Sequence, residues 1–185
     1  MLIGDNMLMY FLFAFIIIGL SLIWYINTYN KFQSIIIRIN EAEASIDTIL
    51  RKRFDLLNKS ISIIKSNIKT DKEILEQIVK LRSRKLSNFE LDRKLYEAIN
   101  EFNEYKESYK ELKKNEGFMK IEIGLNESEA EIVALRKYYN DIITDHNELA
   151  KTFPAKIVAI CSKFKIRPYF DGKNMEDDVV NDFKL

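Results

Sequence analysis

Asp47, Arg51, Arg53 and Asp55 crowd two carboxylates and two guanidinium groups into one short stretch, and Asp47 precedes Arg51 by four, a favourable orientation for an ion pair along a helix. Charges at this spacing suit a solvated helix face, a salt bridge buried between helices, or a surface that binds a partner or another copy of the chain. With Ile49 and Leu56 added, they form the candidate interaction face of the protein. Nucleophilic catalysis would need a base paired to a Ser, Cys or Lys, and no such arrangement stands here. The single His, His146, lies beside Asn147 with Asp145 and Glu148 close by, whereas a two-metal site in a helical bundle draws on two Glu-x-x-His motifs. His146 is therefore expected as a hydrogen-bonded core residue. Tyr105, Tyr109, Tyr138 and Tyr139 fall at helical spacing and read as core rings with hydroxyls at the rim. The single Cys, Cys161, reads as a small buried hydrophobe. No residue is assigned a catalytic, cofactor-binding or metal-ligating role, and the chain reads as non-enzymatic.

The elements that carry these residues must be long helices. In 185 residues there are only 5 Gly and 2 Pro, too few for the turns of a sandwich or a parallel α/β sheet. One Cys removes a disulfide framework. Lys and Arg number 29 against 28 Asp and Glu, so a net charge of +1 gives no electrostatic footprint for nucleic acid.

Residues 7–26, MLMYFLFAFIIIGLSLIWYI, hold no charge and would span about 30 Å as a helix, the thickness of bilayer hydrocarbon. Tyr10 and Phe11 near one end and Trp24, Tyr25 and Tyr29 near the other suit the two headgroup levels. Residues 1–6 lack the basic start of a cleaved signal peptide, and no small-x-small site follows. Lys31, Arg38, Arg51, Lys52 and Arg53 all follow the span, which places residues 1–6 outside and the remainder in the cytoplasm. The organisation expected is a short external N-terminus (1–6), a transmembrane helix (7–26), a cytoplasmic domain (27–170) and an acidic disordered tail (171–185).

Beyond the span, Ile35, Ile39, Ala42, Ile46, Leu50, Phe54, Leu57, Ile61, Ile64 and Ile68 recur every three or four residues, one apolar stripe on a helix that continues the span. Ile37, Ile49, Leu56 and Ile63 form a second row, surplus apolar surface of the sort that marks an interaction face. Capping boxes Thr70-x-x-Glu73 and Ser87-x-x-Glu90 predict helices over about 71–85 and 88–113. Asn115-Glu-Gly117 reads as a stop, followed by a helix over about 118–153 whose seam runs through Phe118, Ile121, Leu125, Ile132, Leu135, Tyr139, Ile142, His146, Leu149 and Phe153. Pro154 ends it. Residues 155–170 mix apolar and basic side chains and could pack on the bundle or touch an anionic leaflet. The fold class is all-α: one transmembrane helix running into an up-and-down antiparallel bundle of about four helices.

Tyr29-Asn30, the stretch Ile46-Asp47 through Arg51-Lys52-Arg53-Phe54-Asp55-Leu56, Tyr109 through Asn115 before Phe118, Tyr139-Asn140, His146-Asn147 and Phe153-Pro154 together resemble the LemA family of bacterial membrane proteins. The resemblance covers nearly all of residues 1–170. Asn58, Lys59 and Lys110 stand where that family tends to have Asn or Pro, and His146 replaces the Tyr of the last pair. The resemblance implies an up-and-down bundle on a membrane stalk and assigns no catalytic residues. From the sequence, the function expected is a membrane-anchored scaffold that self-assembles or binds proteins at the cytoplasmic face of the bacterial inner membrane. The alternative is a regulatory or signalling envelope component acting through a hetero-partner such as a sensor or protease. The partners expected are membrane lipid, further copies of the chain and an envelope protein, without nucleic acid or cofactor.

Overall fold

A computed structural model describes residues 2–67 and 86–170. The helix expected at 71–85, the end of the first stripe at Ile68 and the tail at 171–185 lie outside these residues. Among the described residues the protein is entirely helical: α1 (Leu2–Asn67), α2 (Asn88–Ser108), a 3-10 turn (Leu112–Lys114), α3 (Glu116–Lys151) and α4 (Ala155–Cys161). They group into two compact units, one of residues 2–39 with 142–167 and the other of residues 40–67 and 86–141 with 168–170.

In the first unit α1 carries the apolar stretch. Leu8, Phe11, Phe15, Ile16, Leu20 and Ile23 are each more than half exposed, so the helix is apolar all round and has nothing folded against it there. By length and composition it can cross a membrane. The same helix then buries Phe32, Ile35 and Ile39 without a break. Phe32 packs with Ala150, Val158 and Ala159, flanked by Tyr25, Leu149 and Phe164. Its ring stacks on Phe164 at 4.6 Å, and Tyr29 tilts against Phe164 at 5.5 Å.

Residues 155–167 thus fold back onto α1 and α3, the first of the two placements that their composition allows. The return depends on how α4 ends. Lys163 takes the left-handed backbone (φ 58°), and Phe164 N–H donates to Ala159 O, closing the helix end while Phe164 folds under it. Gly is the usual residue at such a position; here a lysine holds it. Phe153 and Cys161, both expected inside, are exposed. α3 stops at Lys151, two residues short of Phe153, so the seam no longer governs that ring. Cys161, at the last position of α4, lies on the exposed flank beside the buried Ala155, Val158 and Ala159.

In the second unit the stripe from Ala42 to Ile64 is buried as its spacing predicts. α1 and α3 run antiparallel: Ile63 lies by Gly117, Leu56 by Gly124, Lys52 by Glu131 and Glu43 by Tyr139. α2 runs parallel to α1, with Asn88 near Glu43 and Asp92 near Arg53, and antiparallel to α3 through Phe102 stacked on Phe118 at 4.4 Å. The Ser87 capping box forms as expected: Glu90 N–H donates to Ser87 Oγ, while Ser87 N–H and its hydroxyl donate to the Glu90 carboxylate and hold its pKa below the ordinary range.

α2 is shorter than the 88–113 expected, because Tyr109 adopts an extended backbone and turns the chain so that Leu112 enters the core from the 3-10 turn. Gly117 is not a stop. It lies in the first turn of α3, where Asn115 Oδ1 accepts from Phe118 N–H as the cap. A Cβ on Gly117 would come within 3.1 Å of Ile63 Cδ1, and one on Gly124 within 3.1 Å of Leu56 Cδ1, so both glycines let α1 approach closely. The second apolar row is therefore partly spent on internal packing, with Leu56 and Ile63 seated in these notches and Ile37 left exposed.

Candidate functional site

Arg53 is the largest fully buried side chain of the described residues, at 0 % exposure. It falls three residues after Leu50 and four before Leu57, in register with the apolar stripe, so α1 drives a permanent cation into the second unit. Asp92, inward on α2 three residues before Leu95, approaches Arg53 Nη1 at 3.5 Å through Oδ1. Glu129 of α3 accepts from Arg53 Nη2, and Arg136, two turns further along α3, pairs with the other Asp92 oxygen. Arg136 also lies over the Phe170 ring at 5.9 Å, and that ring meets Phe89 and Tyr139 edge-on. Two cations face two carboxylates, and the cluster is neutral.

This cluster is costly to build. Burial raises the Asp92 pKa above its usual range, prevailing over the Arg136 hydrogen bond and the two guanidinium charges that act to lower it. Arg53 Nε and Arg136 Nε donate to no protein acceptor. The two guanidinium groups and two carboxylates tie α1, α2 and α3 together at one point. Of the readings open for Arg53, the salt bridge buried between helices is the one observed, so Arg53 leaves the candidate face; Asp92, Glu129 and Arg136 were not singled out from the sequence. The signal was present for Arg53 and Asp92, each a charged residue at a position where the helical period calls for an apolar one.

The other members of the candidate face stay together without Arg53. Asp47 and Arg51 form the expected i, i+4 pair at 2.7 Å, with Arg51 well exposed. Asp55 is exposed, and Ile49 and Leu56 are half-buried. Asp47, Thr48, Arg51, Lys52, Asp55, Leu56 and Lys59 line an open groove of about 580 Å³ along α1. Its polar groups alternate in sign and include no nucleophile paired with a base. Among the described residues no three His, Cys, Asp or Glu side chains converge as a metal cluster would require.

In the first unit His146 and Asn147 are buried, as the seam predicted for His146. The Asn147 amide grips the backbone of Arg167 from both sides, Nδ2 donating to Arg167 O at 2.8 Å and Oδ1 accepting from Arg167 N–H at 2.9 Å. His146 Nδ1 lies 3.3 Å from the same Oδ1, and its ring meets Phe32 edge-on. In the second unit Asn140 Oδ1 accepts from Phe170 N–H at 2.8 Å, and Tyr139 Oη donates to Glu43. The two aromatic-Asn pairs of α3 thus act alike, the ring packing inward while the amide pins the returning chain. They are structural clamps.

Among the described residues the fold is all-helical and holds one helix long and apolar enough to cross a membrane. Residues 42–183 match the model of the LemA family, and the chain belongs to that family. No curated protein matches it.

Two substitutions test the buried groups. Asp92→Asn should cost about 1 to 3 kcal/mol, read as a lowered urea midpoint, because it takes the carboxylate from Arg136 and leaves Arg53 to Glu129 alone. Arg136→Met combined with Asp92→Leu should recover part of that loss, since the carboxylate then leaves together with the guanidinium it pairs with and Arg53 keeps Glu129. For His146, burial lowers the pKa below the usual value, the Asn147 hydrogen bond opposes that, and the Arg167 charge adds to it. The unfolded chain therefore takes up a proton more readily than the folded one. The stability this provides is present above about pH 6.5 and is lost as the pH falls through the folded value. Urea midpoints followed from about pH 8 to about pH 5 should fall more steeply for the parent than for His146→Gln.

Proposed function

We propose that this LemA-family chain is a non-enzymatic scaffold, anchored in the bacterial cytoplasmic membrane by residues 7–26, whose helical domain faces the cytoplasm and assembles with further copies or with partner proteins. The observation that carries the proposal is the continuity of α1 in the first unit, where an all-round apolar helix becomes the buried side of a domain within two turns, from Tyr25 to Phe32. A flexible tether would let the domain wander, whereas an unbroken helix fixes its orientation to the bilayer. The absence of Lys and Arg before Lys31 supports an external N-terminus.

The groove along α1 supports assembly. Asp47 and Asp55 alternate with Arg51, Lys52 and Lys59, so two copies related by a two-fold axis could meet with each acid opposite a base. Leu56 is engaged with Gly124, so the usable part of the face is Asp47, Ile49, Arg51 and Asp55.

Light scattering of the intact chain in mild detergent should give the mass of more than one subunit. Arg51→Glu with Lys59→Glu should reduce it to one subunit with the circular dichroism unchanged. A parent that is monomeric at tens of micromolar would shift the weight to a hetero-partner, such as a sensor or protease of the envelope. Topology is tested independently: in a Cys161→Ser background, Asn126→Cys should resist a membrane-impermeant thiol reagent in intact cells and react after lysis, and full labelling in intact cells would invert the orientation.

A further inference from the structure

Helix α4 has two apolar faces. Ala155, Val158 and Ala159 point into the first unit, while Ile157 and Ile160 occupy the opposite side in the open, with Cys161 on the exposed flank. Ile160 is 68 % exposed, Ile157 48 %, and Phe153, immediately ahead of the helix, 78 %. A seven-residue helix whose only polar side chain is Lys156 is poorly suited to water on its outer face. From Leu149 to Phe170 the sequence contains Lys151, Lys156, Lys163, Lys165 and Arg167 without one Asp or Glu, in a chain that is otherwise balanced in charge.

The position of α4 along α1 selects the occupant of this face. The Ser162 hydroxyl, one residue past α4, lies 2.9 Å from Tyr25 Oη, and Tyr25 belongs to the last turn of the apolar span. Phe164 packs on Tyr29 and Phe32, one and two turns further on. The exposed face is therefore continuous with the end of the membrane-spanning segment, at the level where hydrocarbon gives way to headgroups. Apolar side chains flanked by lysines suit that depth, with the rings and branched chains entering the acyl boundary and the ammonium groups meeting lipid phosphates.

We infer that residues 153–166 form a second membrane contact, a monotopic element that dips Phe153, Ile157 and Ile160 into the cytoplasmic leaflet beside α1, with Lys156, Lys163 and Lys165 binding anionic headgroups. The inference rests on the anchor reading above. It assigns to lipid a surface that would otherwise attract other protein, and it gives the domain two points of attachment, so that the bilayer restrains rotation about the axis of the span.

The native cysteine provides the test. The intact chain is reconstituted into vesicles of phosphatidylcholine with phosphatidylglycerol, and a nitroxide is attached to Cys161. Collisions with membrane-soluble oxygen should then exceed those with a water-soluble nickel chelate, in contrast to a nitroxide at Asn126→Cys in a Cys161→Ser background, which should favour the chelate. Lys156→Gln should shift the docked-to-free ratio of the Cys161 label by about fivefold toward water, and pure phosphatidylcholine should shift it further in the same direction. A chain that floats with vesicles while its Cys161 label behaves like the Asn126 label overturns this inference and leaves the anchor intact. A Cys161 label shielded from both oxygen and chelate also overturns it, since a second copy or another protein would then cover the face. A chain that does not float removes the anchor, and the inference falls with it.

Discussion

A guanidinium group cannot lose its charge at any pH that a folded protein meets, so burying Arg53 obliges the rest of the second unit to answer it. The helix that buries it cannot rotate without exposing the apolar stripe on either side, from Leu50 to Leu57. α2 and α3 must therefore bring Asp92 and Glu129 to one point. Arg136 then answers the second carboxylate oxygen of Asp92, which Arg53 does not reach. The place of Phe170 under the Arg136 guanidinium, edge-on to Tyr139 and Phe89, follows from where Arg136 is held. One charge at a stripe position thus selects a single mutual arrangement of helices that apolar packing alone would leave degenerate.

The first unit has no such charge at its centre and is organised by shape and by amides. Phe32 fills the space between α1, α3 and α4, and Asn147 replaces the missing regularity of residues 162–167 with two hydrogen bonds to the Arg167 backbone. A segment without regular structure leaves its peptide groups unpaired where it meets a helix, and the Asn side chain supplies both a donor and an acceptor to one of them.

The stripe on α1, the span before it, the Ser87 cap and most of the α3 seam were legible in the sequence, because each rests on a local period or on a side chain reaching its own backbone. What could not be read depends on contacts distant in sequence. Gly117 looked like a stop because glycine after lysines ends most helices, yet it serves as the place where Ile63 fits. Phe153 continued the seam numerically after the helix that gives the period its meaning had ended. Leu56 looked surplus because nothing in its own helix shows that a glycine waits opposite. Asp92 and Glu129 carry no pattern linking them to Arg53, since pairing across helices leaves no fixed spacing in the chain.

The two notches on α3 have a mechanical consequence. Gly117 and Gly124 are seven residues apart, as are Ile63 and Leu56, so the antiparallel pair is keyed at two points in one register. Sliding α1 by one turn, about 5.4 Å, would carry both side chains off the glycines, in one direction toward Ile121 and Ser128. Within the second unit α1 is therefore locked against piston displacement, and any movement imposed on it there must pass on as bending or twisting rather than as axial stroke.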